Sequence, residues 1–313
     1  MDVIKLKEVS KSYKDNKILH NVNLSVTEGD ILGVIGKSGS GKTTLLNLIT
    51  GFVEATKGDI TYVNKFGKER DLNTNLHKVK RHLGYCPQHN SFYPQLTVEE
   101  NLLHFGMLYG INKTILQENI NQLLKFTKLS GHKNKLAKHL SGGMQKRLDI
   151  SCSLVHKPKI LILDEPTADL DPILQQEIIH LLQEVNGQGI TIVIASHHLE
   201  SIETLCNKVI IVNNGEVHSF GEIEEVKKPF LRDYFTINLP GKDGKEKLIE
   251  KLRGFPIKKI VDKGHSIVVY PEHVESTIGK LLSFIREENL YLHDMHFGKP
   301  SLNEVFERIV KNE

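Results

Sequence analysis

Ile31-Leu-Gly-Val-Ile35 runs into Gly36-Lys37-Ser38-Gly39-Ser40-Gly41-Lys42-Thr43-Thr44 and then into Leu45-Leu-Asn-Leu-Ile49. An apolar run of strand type feeds a glycine-rich turn, and that turn opens a helix. The spacing G-x-x-x-x-G-K-T, met from Gly36 to Thr43, is that of a phosphate-binding loop. Glycine at 36, 39 and 41 lets the backbone curl with no Cβ in the way. Successive N–H groups then point inward at phosphate oxygens, and the helix N-terminus adds its positive dipole end. Lys42 can reach the terminal phosphates, and the Thr43 hydroxyl can ligate Mg²⁺. The stretch is therefore expected to bind a nucleoside triphosphate, lined by Gly36, Lys37, Ser38, Gly39, Ser40, Gly41, Lys42, Thr43 and Thr44.

Composition sets the bounds. At 313 residues the chain is long enough for one large domain or two. Hydrophobic content of 39% and charged content of 25% are ordinary for a soluble globular protein. A net charge of +3 is too small to argue for a nucleic-acid partner. Cys86, Cys152 and Cys206 lie far apart and form no metal spacing, so reduced thiols in a cytosolic protein are expected. Met1-Asp-Val-Ile-Lys5 lacks the apolar region of a signal peptide. No apolar run approaches the roughly 18 residues that span a bilayer, so service at a membrane calls for a partner.

Along the chain, Val3–Val9 and Val22–Val26 alternate as half-buried antiparallel strands do. Tyr13 lies between them, readable as a partly buried turn aromatic or as a ring stacked on a nucleobase. The helix after the phosphate loop ends near Gly51; Gly58–Val63 reads as a strand and Asn64–Asn75 as a loop. Residues 97–129 read as largely helical, with Thr97 as cap, Glu99 and Glu100 in the first turn, and Leu116, Ile120, Leu123 and Leu124 at helical spacing. Leu140-Ser-Gly-Gly-Met-Gln-Lys-Arg147 opens another helix. Met144, Leu148, Cys152 and Val155 share one of its faces, and Ser141 can cap it. This is a second helix start fitted for an anion, although an ordinary cap accounts for Ser-Gly-Gly taken alone.

Lys159–Glu165 is a buried strand ending in two carboxylates, Asp164 and Glu165. Apolar residues on both its faces indicate a parallel sheet covered on both sides, and acids at the carboxyl end of such a strand sit where α/β sheets bind ligands. A triphosphate site needs one acid on the Mg²⁺ shell and one near the attacking water. Ile190–Ala195 is the next buried strand, leading into Ser196-His197-His198; Val209–Val212 is another, turning at Asn214-Gly215. From about residue 222 the texture changes. Tyr234–Leu239 reads as a strand, Lys245–Arg253 as a helix, and Ile257–Val261 and Ser266–Tyr270 as strands paired around Lys263-Gly264. Helix Val274–Glu287, strand Leu290–Phe297 and helix Ser301–Lys311 follow, the last with Ser301 and Glu304 as a capping box. The order β-α-β-β-α-β predicts a small ferredoxin-like domain without a catalytic constellation.

Two glycine-marked helix starts on one chain pose a question, since one nucleotide has one γ-phosphate. A symmetric dimer answers it economically: Ser141, Gly142 and Gly143 of each chain would close on the nucleotide held by the partner's loop, making two shared sites. Nucleotide would then hold the dimer, and hydrolysis would release it.

These motifs together resemble the ATP-binding cassette (ABC) ATPases over roughly residues 3–220. The resemblance implies roles by position: Tyr13 stacks on the base, Gly36–Thr44 is the Walker A loop, Gln88 is the Q-loop glutamine and Leu140–Gln145 is the signature. Ile160–Glu165 is the Walker B strand with its glutamate, Ala168–Asp171 is the D-loop and His197 is the switch histidine. Cys86-Pro-Gln-His-Asn90, Leu96-Thr-Val-Glu-Glu-Asn101, Met144, Ser196-His-His-Leu-Glu200 and Pro300-Ser-Leu-Asn-Glu-Val-Phe306 are similar to the drug- and lipid-exporter and A-type subgroup. Two positions depart from the pattern: Met144 stands where most cassettes carry Gln, and Asp169 stands where a small residue is frequent. His198 is read as a bystander.

The fold expected is α/β. It has a P-loop NTPase core with a mostly parallel sheet, an antiparallel N-terminal β-subdomain and a helical subdomain (about 89–156) within residues 1–225. A small α+β ferredoxin-like accessory or regulatory domain follows over 226–313. The function expected is ATP hydrolysis driving export of a drug, lipid or other amphiphile. Catalysis would fall to Glu165, His197 and Gln88; Mg²⁺ would be held by Thr43, Gln88 and Asp164. The partners expected are an integral-membrane permease and a second copy in a head-to-tail, ATP-sandwiched homodimer, with no nucleic acid. The location is the cytoplasm, peripheral on the inner face of the cell membrane. About His89–Leu103, with Phe92 and Tyr93 exposed, is the expected permease-facing surface. An importer ATPase, or a non-transport ABC ATPase acting on nucleic acid or ribosomes, is the alternative.

Overall fold

The two alternating segments lie within one long antiparallel hairpin, β1 (Asp2–Tyr13) and β2 (Asn16–Thr27). Its inner face buries Ile4, Leu6, Val9, Val22, Leu24 and Val26. Tyr13 is the last residue of β1 rather than a turn residue. β3 (Ile31–Ile35) is buried throughout and delivers the chain to α1 (Lys42–Thr50). Leu45, Leu46, Leu48 and Ile49 are all 0% exposed, because α1 packs on β2 of one sheet and on two strands of another. Each such side chain stabilises the fold by about 1.5–3 kcal/mol relative to leaving it in water.

This computed structural model describes residues 1–63, 67–230, 234–238, 242–264, 266–288, 291–298 and 301–311. After α1, β4 (Lys57–Val63) pairs with β1, and β5 (Glu69–Asp71) pairs with β4, completing an antiparallel sheet of order β2-β1-β4-β5. The loop expected over Asn64–Asn75 is thus partly an edge strand. Its Glu-Arg-Asp sequence hides this, since pairing at a solvated sheet edge needs no apolar face. Asn64 itself lies outside the described residues.

α2 (Leu76–Lys80) and β6 (Leu83–Cys86) come next, then α3 (Val98–Leu108), α4 (Lys113–Phe126), α5 (Gly142–Leu154) and β7 (Ile160–Asp164). α6 (Pro172–Gly187), β8 (Thr191–Ala195), α7 (Leu199–Leu205), β9 (Lys208–Asn213) and β10 (Glu216–Glu222) follow. The second sheet runs β10-β9-β3-β8-β7-β6, parallel except for β10. Asn214 and Gly215, at φ 46° and 79°, turn β9 back into β10. β3, β7 and β8 are buried at every position, as strands covered on both faces are.

The expected helical stretch 97–129 is two helices, parted where Gly110 takes φ 71°. Thr97 and Glu100 form a complete capping box at the first. These helices and α5 share a core of their own: Val98, Leu102, Leu116, Ile120, Leu124, Leu148, Cys152 and Val155, with Met144 packed against it.

The chain divides into two compact units, Met1–Val226 with Phe306–Glu313, and Lys227–Val305. α8 (Ile223–Lys227) spans the first boundary. The second unit runs β11 (Tyr234–Asn238), α9 (Lys242–Leu252), β12 (Ile257–Asp262), β13 (Ser266–Pro271), α10 (Val274–Glu287) and β14 (Asp294–Gly298), and its four strands form an antiparallel sheet of order β12-β13-β11-β14. That is the ferredoxin-like arrangement. Leu239 and Leu290, expected in flanking strands, lie outside the described residues. α11 (Leu302–Lys311) is capped by Ser301, whose hydroxyl accepts from the Glu304 amide at 3.3 Å. The molecule is an α/β P-loop NTPase core with an antiparallel β-subdomain, a helical subdomain and an α+β ferredoxin-like unit.

His156, just past α5, is a titratable group that this packing alters. Its ring stacks on Tyr109 at 3.6 Å, and Nε2 lies 2.9 Å from the Leu83 carbonyl. Donation to that carbonyl leaves Nδ1 as a buried lone pair without a partner among the described residues. Protonation would bury an N–H that has no acceptor, and burial pushes the pKa down to about 4. A base depressed in the fold contributes stability that is present above its unfolded pKa of about 6.5 and is lost as pH falls toward 4. Unfolding free energies from urea titrations at pH 7 and pH 4 should therefore fall further in the wild type than in His156→Phe, by an amount on the order of 1–3 kcal/mol.

Candidate nucleotide site

The loop between β3 and α1 is built to leave N–H groups bare. Gly41 precedes α1 at φ 108° and no side chain caps the helix, so the first amides of α1 remain available to an anion. Gly39 also has positive φ, 79°. At Gly36 a Cβ would meet the Val212 carbonyl oxygen and Ser40 Oγ, each at 2.3 Å. Ser40 Oγ is buried without a partner among the described residues, a donor without an acceptor inside the cradle. Lys42 is 8% exposed; its Nζ donates to the Gly36 carbonyl at 3.0 Å and the Lys37 carbonyl at 3.2 Å. The ammonium thus rests inside the loop, where phosphate oxygens can replace those carbonyls. Lys37, Ser38 and Gly39 are exposed.

Two carboxylates close the floor. Asp164 ends β7, with the Thr43 hydroxyl of the first turn of α1 close enough to act on its charge. Burial raises the Asp164 pKa; the Thr43 hydroxyl opposes the shift, the neighbouring Glu165 adds to it and Lys42 lowers it. Among the described residues no cluster of three or more His, Cys, Asp or Glu could hold a metal. A hydroxyl beside one buried carboxylate instead suits Mg²⁺, which keeps waters and substrate oxygens in its shell. Glu165 is 7% exposed and sits at φ 49°, a left-handed conformation costing on the order of 1–3 kcal/mol. Its amide is anchored on the Ala195 carbonyl at 2.8 Å. Its Oε2 accepts from the His197 amide at 3.3 Å and lies 2.9 Å from His197 Nδ1. The backbone is bent so that this acid faces the loop after β8. His198 packs on the His197 ring, with centroids 4.3 Å apart, and its amide donates to Ser196 Oγ at 3.0 Å.

Other predicted residues stand apart from this group. Tyr13 is 46% exposed with the Lys11 ammonium 4.8 Å from its ring centre. Gln88 is exposed, two residues beyond β6. Ser141 caps α5, accepting weakly from the Met144 amide at 3.4 Å. Gly142 faces open space, whereas a Cβ at Gly143 would meet the Leu174 side chain at 2.7 Å. Asp171 caps α6 by accepting from the Ile173 and Leu174 amides, both at 3.0 Å, and Asp169 has φ 59°.

The expected permease-facing stretch needs one correction. Phe92 is buried, 6% exposed, within the helical core, while Tyr93 is 49% exposed. Glu99 is bonded to Gln117 and Glu100 is in the capping box, so both acids serve helix structure. Two buried polar residues were not legible as functional. Asn101, 0% exposed, bonds the amide and carbonyl of Tyr93 and the carbonyls of Leu96 and Thr97, which fixes the turn before α3. Asp149, also 0% exposed, binds the segment after Gln88. Its only sequence signal is a charge inside the run Leu148-Asp-Ile-Ser-Cys152.

Comparison with known proteins agrees with this geometry. The family model described as ABC transporter matches residues 19–168, and that described as ATP-binding protein DrrA1-3-like, C-terminal domain, matches residues 221–310. The uncharacterized ABC transporter ATP-binding protein YxlF of Bacillus subtilis is 32% identical over 310 residues, 98% of this chain and 99% of that protein. The chain belongs to the ABC transporter ATP-binding protein family. The linearmycin resistance ATP-binding protein LnrL of Bacillus subtilis is 32% identical, over 70% of this chain and 69% of its own. The methionine import ATP-binding protein MetN of Clostridioides difficile is 34% identical, over 95% and 87%. Among solved structures, the dimeric post-hydrolysis state of the cassette MJ0796 bound to ADP and Pi superposes with a TM-score of 0.61 at 30% identity, covering 70% of this chain and 98% of that one. The cassette of this ABC protein is thus an ATP-binding ATPase domain.

Because a Cβ at Gly36 has a carbonyl oxygen and a buried side chain in its way, Gly36→Ala should open the loop while the rest of the fold survives. ATP affinity measured by titration calorimetry is expected to fall at least about 100-fold. Unchanged affinity would contradict the cradle.

Proposed function

We propose that this protein is the ATP-hydrolysing subunit of an ABC exporter, driving a drug, lipid or other amphiphile through a separate integral-membrane permease. The observation that carries the hydrolytic part is the pairing of two adjacent buried acids with different partners: Asp164 with Thr43 of the phosphate helix, and Glu165 with His197. One acid is fitted to an ion and the other to a water. Gly36 to Thr44 bind the phosphates, and Tyr13 stacks on the base. Thr43, Asp164 and Gln88 would hold Mg²⁺, which supplies neutralisation of the phosphate charge when bound. Glu165 orients and polarises the attacking water. His197 hydrogen-bonds the γ-phosphate while fixing Glu165 through Nδ1. Little covalent chemistry is asked of the protein, so catalysis is positioning and charge stabilisation.

Ser141 and Gly142 are exposed at the start of α5 and Gly142 faces open space, which supports a head-to-tail homodimer in which they, with Gly143, complete the partner's site. The MJ0796 cassette is dimeric in its post-hydrolysis state. Export is favoured by the match of residues 221–310 to a DrrA1-3-like C-terminal domain and by LnrL, a resistance protein. Import, as in MetN, is the second reading, favoured by 34% identity over 300 residues. The protein works from the cytoplasmic face, as the exporter reading requires, docked on the permease through the Tyr93 surface; among the described residues no helix is long and apolar enough to cross a membrane. The ATPase role goes to the unit that holds Met1–Val226, and an accessory or regulatory role to the unit Lys227–Val305, so the expected domain of 226–313 is shorter at its end.

In Glu165→Gln the side-chain volume and the His197 contact are kept while the charge is lost. Turnover is expected to fall about 10²–10³-fold, ATP affinity to hold, and the protein to elute as a dimer in ATP. Retained turnover would remove Glu165 from the mechanism. Pull-down of this variant from membranes in ATP should bring down a polytopic permease; capture of ribosomes instead would sink the transport assignment.

A further inference from the structure

Gln88 sits on an arch whose two feet are fastened to one carboxylate. Asp149 lies within α5, eight residues after Ser141, and is 0% exposed. Its Oδ1 accepts from the Ser91 amide at 2.9 Å and the Ser91 hydroxyl at 2.5 Å. Its Oδ2 accepts from the Cys86 thiol at 3.2 Å, and Lys146 Nζ stands 4.0 Å away as its countercharge. Cys86 ends β6 before Gln88, and Ser91 follows it. A second strap runs parallel: Asn90 Nδ2 donates to Gln145 Oε1 at 3.3 Å, and Gln145 Nε2 donates in turn to the Ala137 and Leu140 carbonyls.

Burying a carboxylate is costly unless it is paired and hydrogen-bonded. Packing alone does not call for one here, since Leu148, Cys152 and Val155 already fill the core side of α5. The donors Asp149 collects come from the strand end and loop that carry Gln88. An acid at this place therefore fixes where that loop sits relative to α5.

We propose that Asp149 is a positioning residue that clamps the Gln88 arch to α5. A displacement of Gln88 on meeting its nucleotide is then carried to Ser141-Gly142-Gly143 of the same chain, which face the partner's nucleotide. The clamp rests on the reading of Gln88 given above. It provides a physical link, bonded atom to bonded atom, between one ATP site and the other.

The test is a double-mutant cycle on steady-state Mg-ATP hydrolysis by the full chain, with melting temperatures recorded to establish folding. Asp149→Asn should lower kcat about tenfold with KM for ATP within about twofold. Ser91→Ala should act in the same direction. Neither should cost anything further in a Gln88→Ala background, because both act through Gln88. Additive losses overturn the clamp and mark Asp149 as structural. Wild-type turnover in Asp149→Asn and Ser91→Ala, with Gln88→Ala impaired, overturns the clamp and leaves Gln88 in place. Wild-type turnover in Gln88→Ala overturns the role of Gln88 and the clamp with it. Should Asp149→Asn fail to fold, Ser91→Ala with Gln88→Ala completes the same cycle.

Discussion

Helix α1 must be buried along its length and bare at its start. Four apolar side chains, Leu45 and Leu46 with Leu48 and Ile49, are sealed between the antiparallel sheet and the parallel one. That burial holds the helix against its strong tendency to finish its N-terminus with a side-chain cap. Gly41 provides no cap, and the amides stay open to an anion. The antiparallel sheet, with little chemistry of its own, matters here because it supplies the second wall. Remove either wall and the phosphate loop would have nothing rigid to start from.

The chemistry is then laid out by strand ends. β7 and β8 are adjacent and parallel in register, Asp164 opposite Ala195. Asp164 and Glu165 are consecutive, yet one meets Thr43 and the other His197. The left-handed backbone at Glu165 makes the difference. An extended residue there would point its carboxylate to the other side of the sheet. The strain is carried by a backbone bond to Ala195 and by the His197 contacts, which is how a strained acid remains ordered. This division of labour between neighbouring carboxylates is what an NTP-hydrolysing site requires, and the likeness to ABC ATP-binding proteins over nearly the whole chain agrees with it.

The helical subdomain has a core separate from that of α1, so it can respond to the site without disturbing the phosphate loop. What ties it down is polar. Asn101 closes the turn before α3, Arg147 joins the Thr127 carbonyl to Glu177 of α6 at 3.2 and 2.7 Å, and Asp149 takes the loop after Gln88. Directional bonds of this kind set position in a way that apolar contacts, which slide, do not.

The sequence by itself determined the phosphate loop, the two acids ending a buried strand, the signature helix with its apolar face, and the ferredoxin-like order of the last unit. Each is a local pattern: spacing, periodicity, or glycine where no Cβ fits. Edge strand β5 was not legible, because an exposed ladder of Glu, Arg and Asp bears no apolar signature. Phe92 was misread as exposed, since burial of a loop aromatic depends on helices far along the chain. The tertiary structure alone decided which acid meets which partner, that Lys42 rests on the carbonyls of its own loop, and that Asp149 reaches Cys86 and Ser91 across 63 and 58 residues of sequence. Hydrogen bonds depend on distance and angle in space, and those are fixed only when the strands and helices carrying their donors and acceptors have packed.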